Sequence, residues 1–260
     1  MNRSNINPPV GLTPLKRELV NNRRNKKAYE TGVLAPPHFF LEMEDGDGFT
    51  TALEFITEVF IKHRFKQFNN ILPFVESKLD DAATNLEQMM EKVNDCSVYT
   101  NQYDGVVGTN PLQMAYHEGE ETYDEFFKFL QKTAEAATFV FFVPRRRRTQ
   151  REDKLLEKIT EILSPENVRF IQMEAYTPKE KELIIMKYLR NEVGIHVEPT
   201  VEERLQMFLI DRDDIKTAKD CVRFAKKNLI PYICFDKMPA TLTGKKVCKL
   251  LDAEEKAVIL

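Results

Sequence analysis

The stretch His38-Phe-Phe-Leu-Glu-Met-Glu-Asp-Gly-Asp-Gly-Phe-Thr-Thr51 decides the fold. Its first half is a short apolar run set off by Pro36-Pro37, the pattern of a buried strand. Its second half places Gly46 and Gly48 in a tight acidic loop. Beyond the loop, Ala52, Leu53, Ile56, Val59, Phe60 and His63 recur on one helical face, predicting a helix to about residue 66. Strand, glycine loop and helix in this order are the setting of a phosphate-binding loop. A working loop reads GxxxxGK[ST]. Its backbone N–H groups cradle phosphates, its lysine reaches the β- and γ-phosphates, and its hydroxyl binds magnesium. On that pattern the first glycine is Met43, Gly46 and Gly48 are retained, the lysine is Phe49, and Thr50 is the hydroxyl, followed by Thr51. Glu44, Asp45 and Asp47 put carboxylates in or beside the cradle. Each such anion opposes a phosphate by roughly 1–4 kcal/mol at about 4 Å. The lost lysine contact removes about 1.5–3 kcal/mol more. A helix N-terminus returns only about 0.3–1 kcal/mol.

Outward from this stretch, strands and helices alternate. Helices are predicted over 12–30 (closed by Gly32), 80–94, 120–136 and 149–163, and strands over 71–75, 105–107, 138–143 and 168–173. Pro73 predicts an edge position for the second strand. Thr138-Phe-Val-Phe-Phe-Val143 shows no polar alternation, so it is expected to be buried on both faces, as in a parallel sheet. The pattern changes near residue 175. Thr177-Pro-Lys-Glu180 is a capping box with proline in the first turn, and Thr200-Val-Glu-Glu203 repeats the box. A third helix is predicted over 213–228, and a short one near 246–257 in an otherwise irregular tail ending Val258-Ile-Leu260. The expected class is α/β: a five-stranded, mostly parallel P-loop sheet with helices on both faces, then a small all-α domain. The expected organisation is a flexible lead at 1–10, an α/β core at 11–174, a helical domain at 175–230 and a C-terminal extension at 231–260.

Composition narrows the function classes. The net charge of −3 supplies no global basic field to recruit nucleic acid or anionic lipid. No apolar run reaches the roughly 18 residues of a membrane span. Cys96, Cys221, Cys234 and Cys248 form no Cys-x-x-Cys pair and fit reduced, buried thiols in a cytoplasmic protein. The histidines are scattered, so no metal site is expected. His38, inside the first strand, reads as a structural core histidine.

Longer segments carry a resemblance. Gly11-Leu-Thr-Pro-Leu-Lys16 resembles the opening of AAA+ proteins of the CbxX/CfqX group. Gly32-Val-Leu followed by His38-Phe-Phe-Leu resembles that group's approach to its loop. Ala175-Tyr-Thr-Pro-Lys-Glu-Lys-Glu-Leu183 is similar to its tyrosine-containing lead-in to the lid, and Thr217-Ala-Lys-Asp-Cys-Val-Arg223 to the lid's arginine segment. The resemblance implies strand order 5-1-4-3-2 and a helical lid. It also implies two acids after the third strand, where Asn110 and Pro111 stand. Asp104 comes too early to replace them. A polar residue is implied after the fourth strand, where Pro144-Arg145 falls. The resemblance implies a phosphate-sensing lid arginine as well, matched by Lys219, which keeps the charge without the bidentate fork.

These features predict a non-catalytic AAA+-like protein: an adaptor or a structural or regulatory subunit with a protein partner, such as an active AAA+ relative. No catalytic residue and no cofactor are expected, with ATP and magnesium disfavoured. The cofactor-loop residues are Gly46, Gly48, Phe49, Thr50 and Thr51, with Lys219 from the lid. Phe49 is expected to plug the phosphate site, or else to belong to a partner surface. One alternative is a divergent ATP-binding AAA+ ATPase using Thr50 and Lys219. A further alternative is a nucleic-acid-binding accessory factor acting through Arg145, Arg146, Arg147 and Arg148; that run also reads as a solvated loop balanced by Glu152 and Asp153.

Overall fold

In the middle of the sheet, β1 (His38–Met43) runs parallel to β4 (Thr138–Pro144) on one side and to β5 (Val168–Gln172) on the other. β4 pairs with β3 (Val106–Thr109), and β3 with β2 (Phe74–Ser77), again in parallel. The order is β2-β3-β4-β1-β5, the expected one, with β2 at an edge. The computed structural model describes residues 8–31, 34–35, 37–63, 74–77, 82–96, 103–117, 119–233, 240–243, 247 and 251. The expectations for residues 1–7, Gly32, 71–73, Cys234, Cys248, the tail helix apart from Val247 and Leu251, and Val258-Ile-Leu260 lie outside them.

The chain forms two compact units, Met1–Glu44 with Phe49–Glu174, and Asp45–Gly48 with Ala175–Leu260. In the first, side chains alternate across the sheet with the strand period of two. Phe39, Leu41, Met43, Val106, Val140 and Ile171 face one side. There they pack against α1 (Thr13–Arg24) and α3 (Phe49–His63) through Leu15, Leu19, Leu53, Ile56 and Phe60. Phe40, Val107, Phe139, Phe141, Val143 and Val168 face the other side. They meet α4 (Ala82–Cys96), α5 (Glu121–Thr133) and α6 (Gln150–Ile162) through Met89, Phe126, Leu130, Leu155 and Ile159. Burial on both faces is why the central strands read as continuous apolar runs. His38 is buried, and its Nδ1 accepts the Phe139 N–H at 3.1 Å, a satisfied core histidine.

Some local expectations need correction. The predicted 12–30 helix breaks at Asn25 into α1 and α2 (Lys26–Glu30); the Asn25 N–H turns back to the Asn22 carbonyl at 3.0 Å. The third strand runs through Gly108 instead of stopping before it. A Cβ on Gly108 would stand 2.3 Å from Leu53 Cδ1, so this glycine lets α3 lie close against β3.

The second unit holds α7 (Pro178–Lys187), continued by a turn of π-helix at 188–192, then α8 (Pro199–Phe208) and α9 (Ala218–Phe224), continued by a π-turn at 225–229. The Thr177–Glu180 capping box forms as expected. The box at Thr200 does not: α8 begins at Pro199, with Glu198 at the N-cap position and the proline in the first turn, where a fixed φ is already helical. The third helix starts at Ala218, not at 213, because Thr217 and Asp220 form a capping box. β7 (Thr241–Leu242) pairs in parallel with β6 (His196–Val197), and Val247 and Leu251 join the helical core around Leu189, Leu205 and Cys221. At these positions the tail is part of the helical unit. Burial pushes the Cys221 thiol up to about 12, which makes it an inert core residue.

Gly108→Ala is expected to destabilise the protein by about 1–3 kcal/mol through overpacking against Leu53. The urea midpoint measures this, and Leu53→Ala in the Gly108→Ala background should recover part of the loss relative to the sum of the single changes.

Candidate functional site

β1 ends at Met43 and α3 starts at Phe49, so Asp45–Gly48 must turn the chain within four residues. Gly46 and Gly48 have φ of +95° and +86°, backbone that side chains rarely adopt. The loop packs within the helical unit. The Lys219 N–H donates to the Gly46 carbonyl at 3.1 Å, and the Tyr176 hydroxyl donates to the Asp47 carbonyl at 2.8 Å. Lys219 Nζ lies 3.5 Å from Asp45 Oδ2, an exposed pair that contributes little stability by itself. A Cβ on Gly46 would stand 2.8 Å from the Lys219 Cβ and 3.2 Å from Thr217 Oγ1. The start of α9 therefore sits directly on the loop, and only glycine admits it. Burial, then the nearby Asp47 carboxylate, hold the Tyr176 hydroxyl protonated far above the ordinary phenol range, so it remains a donor.

The residues that follow the loop lie in the first unit. Phe49 is half-buried, edge-on to Phe142 of β4 with ring centroids 5.6 Å apart, against the cluster of α1 and α3. The Thr50 hydroxyl donates to Glu76 Oε1 of β2 at 3.1 Å. Thr51 is exposed. After β3, Asn110 Oδ1 accepts the Leu112 N–H at 3.1 Å, and Pro111 opens a short 3₁₀ helix at 112–116. The Asn110 side chain thus closes its own turn.

The arginine run after β4 is largely spent inside the unit. The Arg145 N–H donates to the Met43 carbonyl at 3.1 Å, and its guanidinium to the Met173 carbonyl, joining the ends of β1, β4 and β5. Arg146 grips Glu152 with two bonds at 3.1 and 2.7 Å. Arg148 pairs with Asp153 at 2.9 Å and approaches Glu42 at 3.9 Å. Arg147 is exposed and has no ion-pair partner among the described residues. Glu152 is fully buried and also closes the capping box of α6 with Thr149. The Arg146 hydrogen bonds, opposed by burial and helped by the Thr149 N–H, hold its carboxyl below the ordinary range. Among the described residues no group of three His, Cys, Asp or Glu side chains is arranged to hold a metal ion. Nor is any helix long and apolar enough to cross a membrane.

The structure thus brings Gly46 together with Lys219, and sets Thr50 against an acid of β2. Sequence reasoning singled out neither Tyr176 as a loop donor nor Glu76 as the partner of Thr50. The capping box at Thr217–Asp220 was the available signal for where α9 begins, and hence for what meets Gly46.

No family model and no curated protein matches the sequence. Solved structures do. The Holliday junction branch migration motor RuvB of Thermotoga maritima aligns over 94% of this chain and 70% of its own, at a TM-score of 0.53 and 15% identity. A single-residue variant of that motor aligns over the same shares at a TM-score of 0.55 and 14% identity. Domain III of the Thermotoga maritima replication initiation protein DnaA covers 90% of this chain and 91% of its own, at 0.52 and 14%. Both proteins are AAA+ ATPases. At these identities the likeness concerns the fold, and the fold of this chain is the AAA+ P-loop type: a parallel 2-3-4-1-5 sheet followed by a helical region.

Two outcomes are expected here. Tyr176→Phe leaves the Asp47 carbonyl without its donor and costs about 1–3 kcal/mol. Hydrogen exchange should quicken at 45–48 and around 175–177, while amides of β1 and β4 stay protected. Glu152 stabilises the fold above the ordinary carboxylate range, and this contribution is lost as pH falls through its depressed pKa. Glu152→Gln should therefore cost about 1–2 kcal/mol at pH 7 and flatten the acid limb of a stability–pH curve.

Proposed function

We propose that this chain is a non-catalytic AAA+-like protein that serves in the cytoplasm as an adaptor or a structural or regulatory subunit, beside an active AAA+ relative. The carrying observation is that the glycine loop is held by its own chain and carries Phe49 where the resemblance implies a lysine. Two of its carbonyls are bonded to Lys219 and Tyr176, and the ammonium that the resemblance assigns to phosphate sensing faces Asp45. ATP with magnesium does not fit the residues present. Phe49 offers a hydrocarbon ring where a cation is needed, and Thr50 already donates to the Glu76 carboxylate. Asn110 bonds its own turn, and Pro111 offers no base. Each of these raises the free energy of a bound triphosphate, and the helix N-terminus is too weak to offset them.

Kept with its fold and stripped of turnover, such a module acts through its surface. The pairing of Arg145, Arg146 and Arg148 inside the unit weighs against the nucleic-acid alternative, even though RuvB is a Holliday junction motor. The divergent-ATPase alternative keeps one point in its favour, the positive-φ glycines of an intact turn.

Isothermal titration of the full chain with Mg-ATP should give no heat of binding up to millimolar nucleotide, and a phosphate-release assay should give no turnover above buffer. Micromolar binding would sink the proposal. Turnover abolished by Thr50→Ala would establish the ATPase in its place.

A further inference from the structure

The helical unit carries a cleft of about 230 Å³ in which no residue of the glycine loop takes part. Arg212, Asp214, Asp220, Arg223 and Lys227 line it together with Phe224. Positions 220, 223, 224 and 227 recur at helical spacing, so one face of α9 and the following π-turn build one wall. Single π-turns within helices are frequent at functional sites. Lys219 is not part of the lining.

The two acids of the cleft are engaged by the unit itself. Asp214 accepts from Arg212 Nε and Nη2 at 2.6 and 2.7 Å. The Arg212 guanidinium also lies 4.6 Å from the centre of the Phe208 ring, so it is held in one orientation. Asp220 accepts from the Thr217 N–H at 3.1 Å, the Thr217 hydroxyl at 2.9 Å and Arg223 at 3.1 Å. Both carboxyls sit below their ordinary range. For Asp214 the Arg212 hydrogen bonds are the cause, and for Asp220 the Thr217 bonds outweigh the opposing effect of burial. The cations are less fully used. Arg223 is 66% exposed with one bond to Asp220. Lys227 is exposed and has no partner among the described residues.

Size and charge select the occupant. Clefts that enclose a drug-sized ligand run to roughly 300–1,000 Å³. At about 230 Å³ this cleft is too small for a free nucleotide and has room for one charged group of a larger molecule. Nucleic acid is disfavoured, because Asp214 and Asp220 would face the neighbouring phosphates and the one ring in the lining, Phe224, is buried and offers no stacking platform. Arginine clusters that read acidic motifs on protein segments meet the same requirement without that conflict. We propose that this cleft binds an acidic side chain presented by a peptide segment of a protein partner, with its carboxylate between Arg223 and Lys227. The inference goes beyond the nucleotide question, since the cleft and the loop share no residue.

The test is fluorescence anisotropy on the full chain at low salt, with a fluorescein-labelled octapeptide of glutamate alternating with serine as probe. Saturable binding is expected. It should weaken at least about tenfold in Arg223→Gln/Lys227→Gln, and hold in the charge-matched control Lys132→Gln/Lys154→Gln on exposed positions of α5 and α6. The glutamine version of the peptide should not bind. Absence of saturable binding, or equal weakening in the control, overturns the proposal. Tighter binding of a single-stranded octanucleotide that is lost in the cleft variant also overturns it, by assigning the cleft to phosphate.

Discussion

Strands β1 and β4 lie side by side at the centre of the sheet, and each must be covered on both faces. That requirement organises the first unit. It calls for α1 and α3 against Phe39, Leu41 and Val140, and for α4, α5 and α6 against Phe40, Phe139 and Phe141. Because all pairings are parallel, every strand ends at the same edge, and the loops that leave that edge collect the residues available for binding. At that edge several of these groups bind one another. Arg145 ties three strand ends together, Arg146 is bonded to a buried glutamate, and Thr50 is bonded to Glu76.

A phosphate cradle works by aiming donors at an anion that arrives from solvent. Here the hydrogen bonds described at the loop run the other way: its carbonyls accept from Tyr176 and Lys219. Interactions made within one folded unit carry no association cost, whereas a ligand must overcome its own loss of translational freedom. A modest set of internal contacts can therefore hold the loop in one conformation.

The sheet was legible because its strands are apolar on both faces and bounded by breakers: Pro36-Pro37 before β1 and Pro144 at the end of β4. The errors have specific causes. Gly108 reads as a strand stop by its residue type, yet it is present because Leu53 lies against it. Thr200 and Pro199 offer competing helix starts, and proline's fixed φ prevails. Apolar periodicity carries the helix predicted over 213–228 back past Ile215, but the Thr217 box sets its start. β6 and β7 are two residues each, too short for any period to register. Of the candidate site, the glycine loop was visible in the sequence. Its contacts were not, because the partners stand 129 residues away at Tyr176 and farther at Lys219, and no local pattern encodes such a pairing.

The helical unit is discontinuous: it is assembled from Asp45–Gly48 and from the chain beyond Glu174. Excised on its own from residue 175, it would lack the acceptors of the Tyr176 hydroxyl and the Lys219 amide, and the start of α9 would face solvent where Gly46 now lies. It is thus not a separable module. Its completion waits on a closure of more than a hundred residues, whose entropic cost places it among the slow, non-local steps of folding. A nascent chain would hold the four loop residues in reserve until Tyr176 and Lys219 had been made.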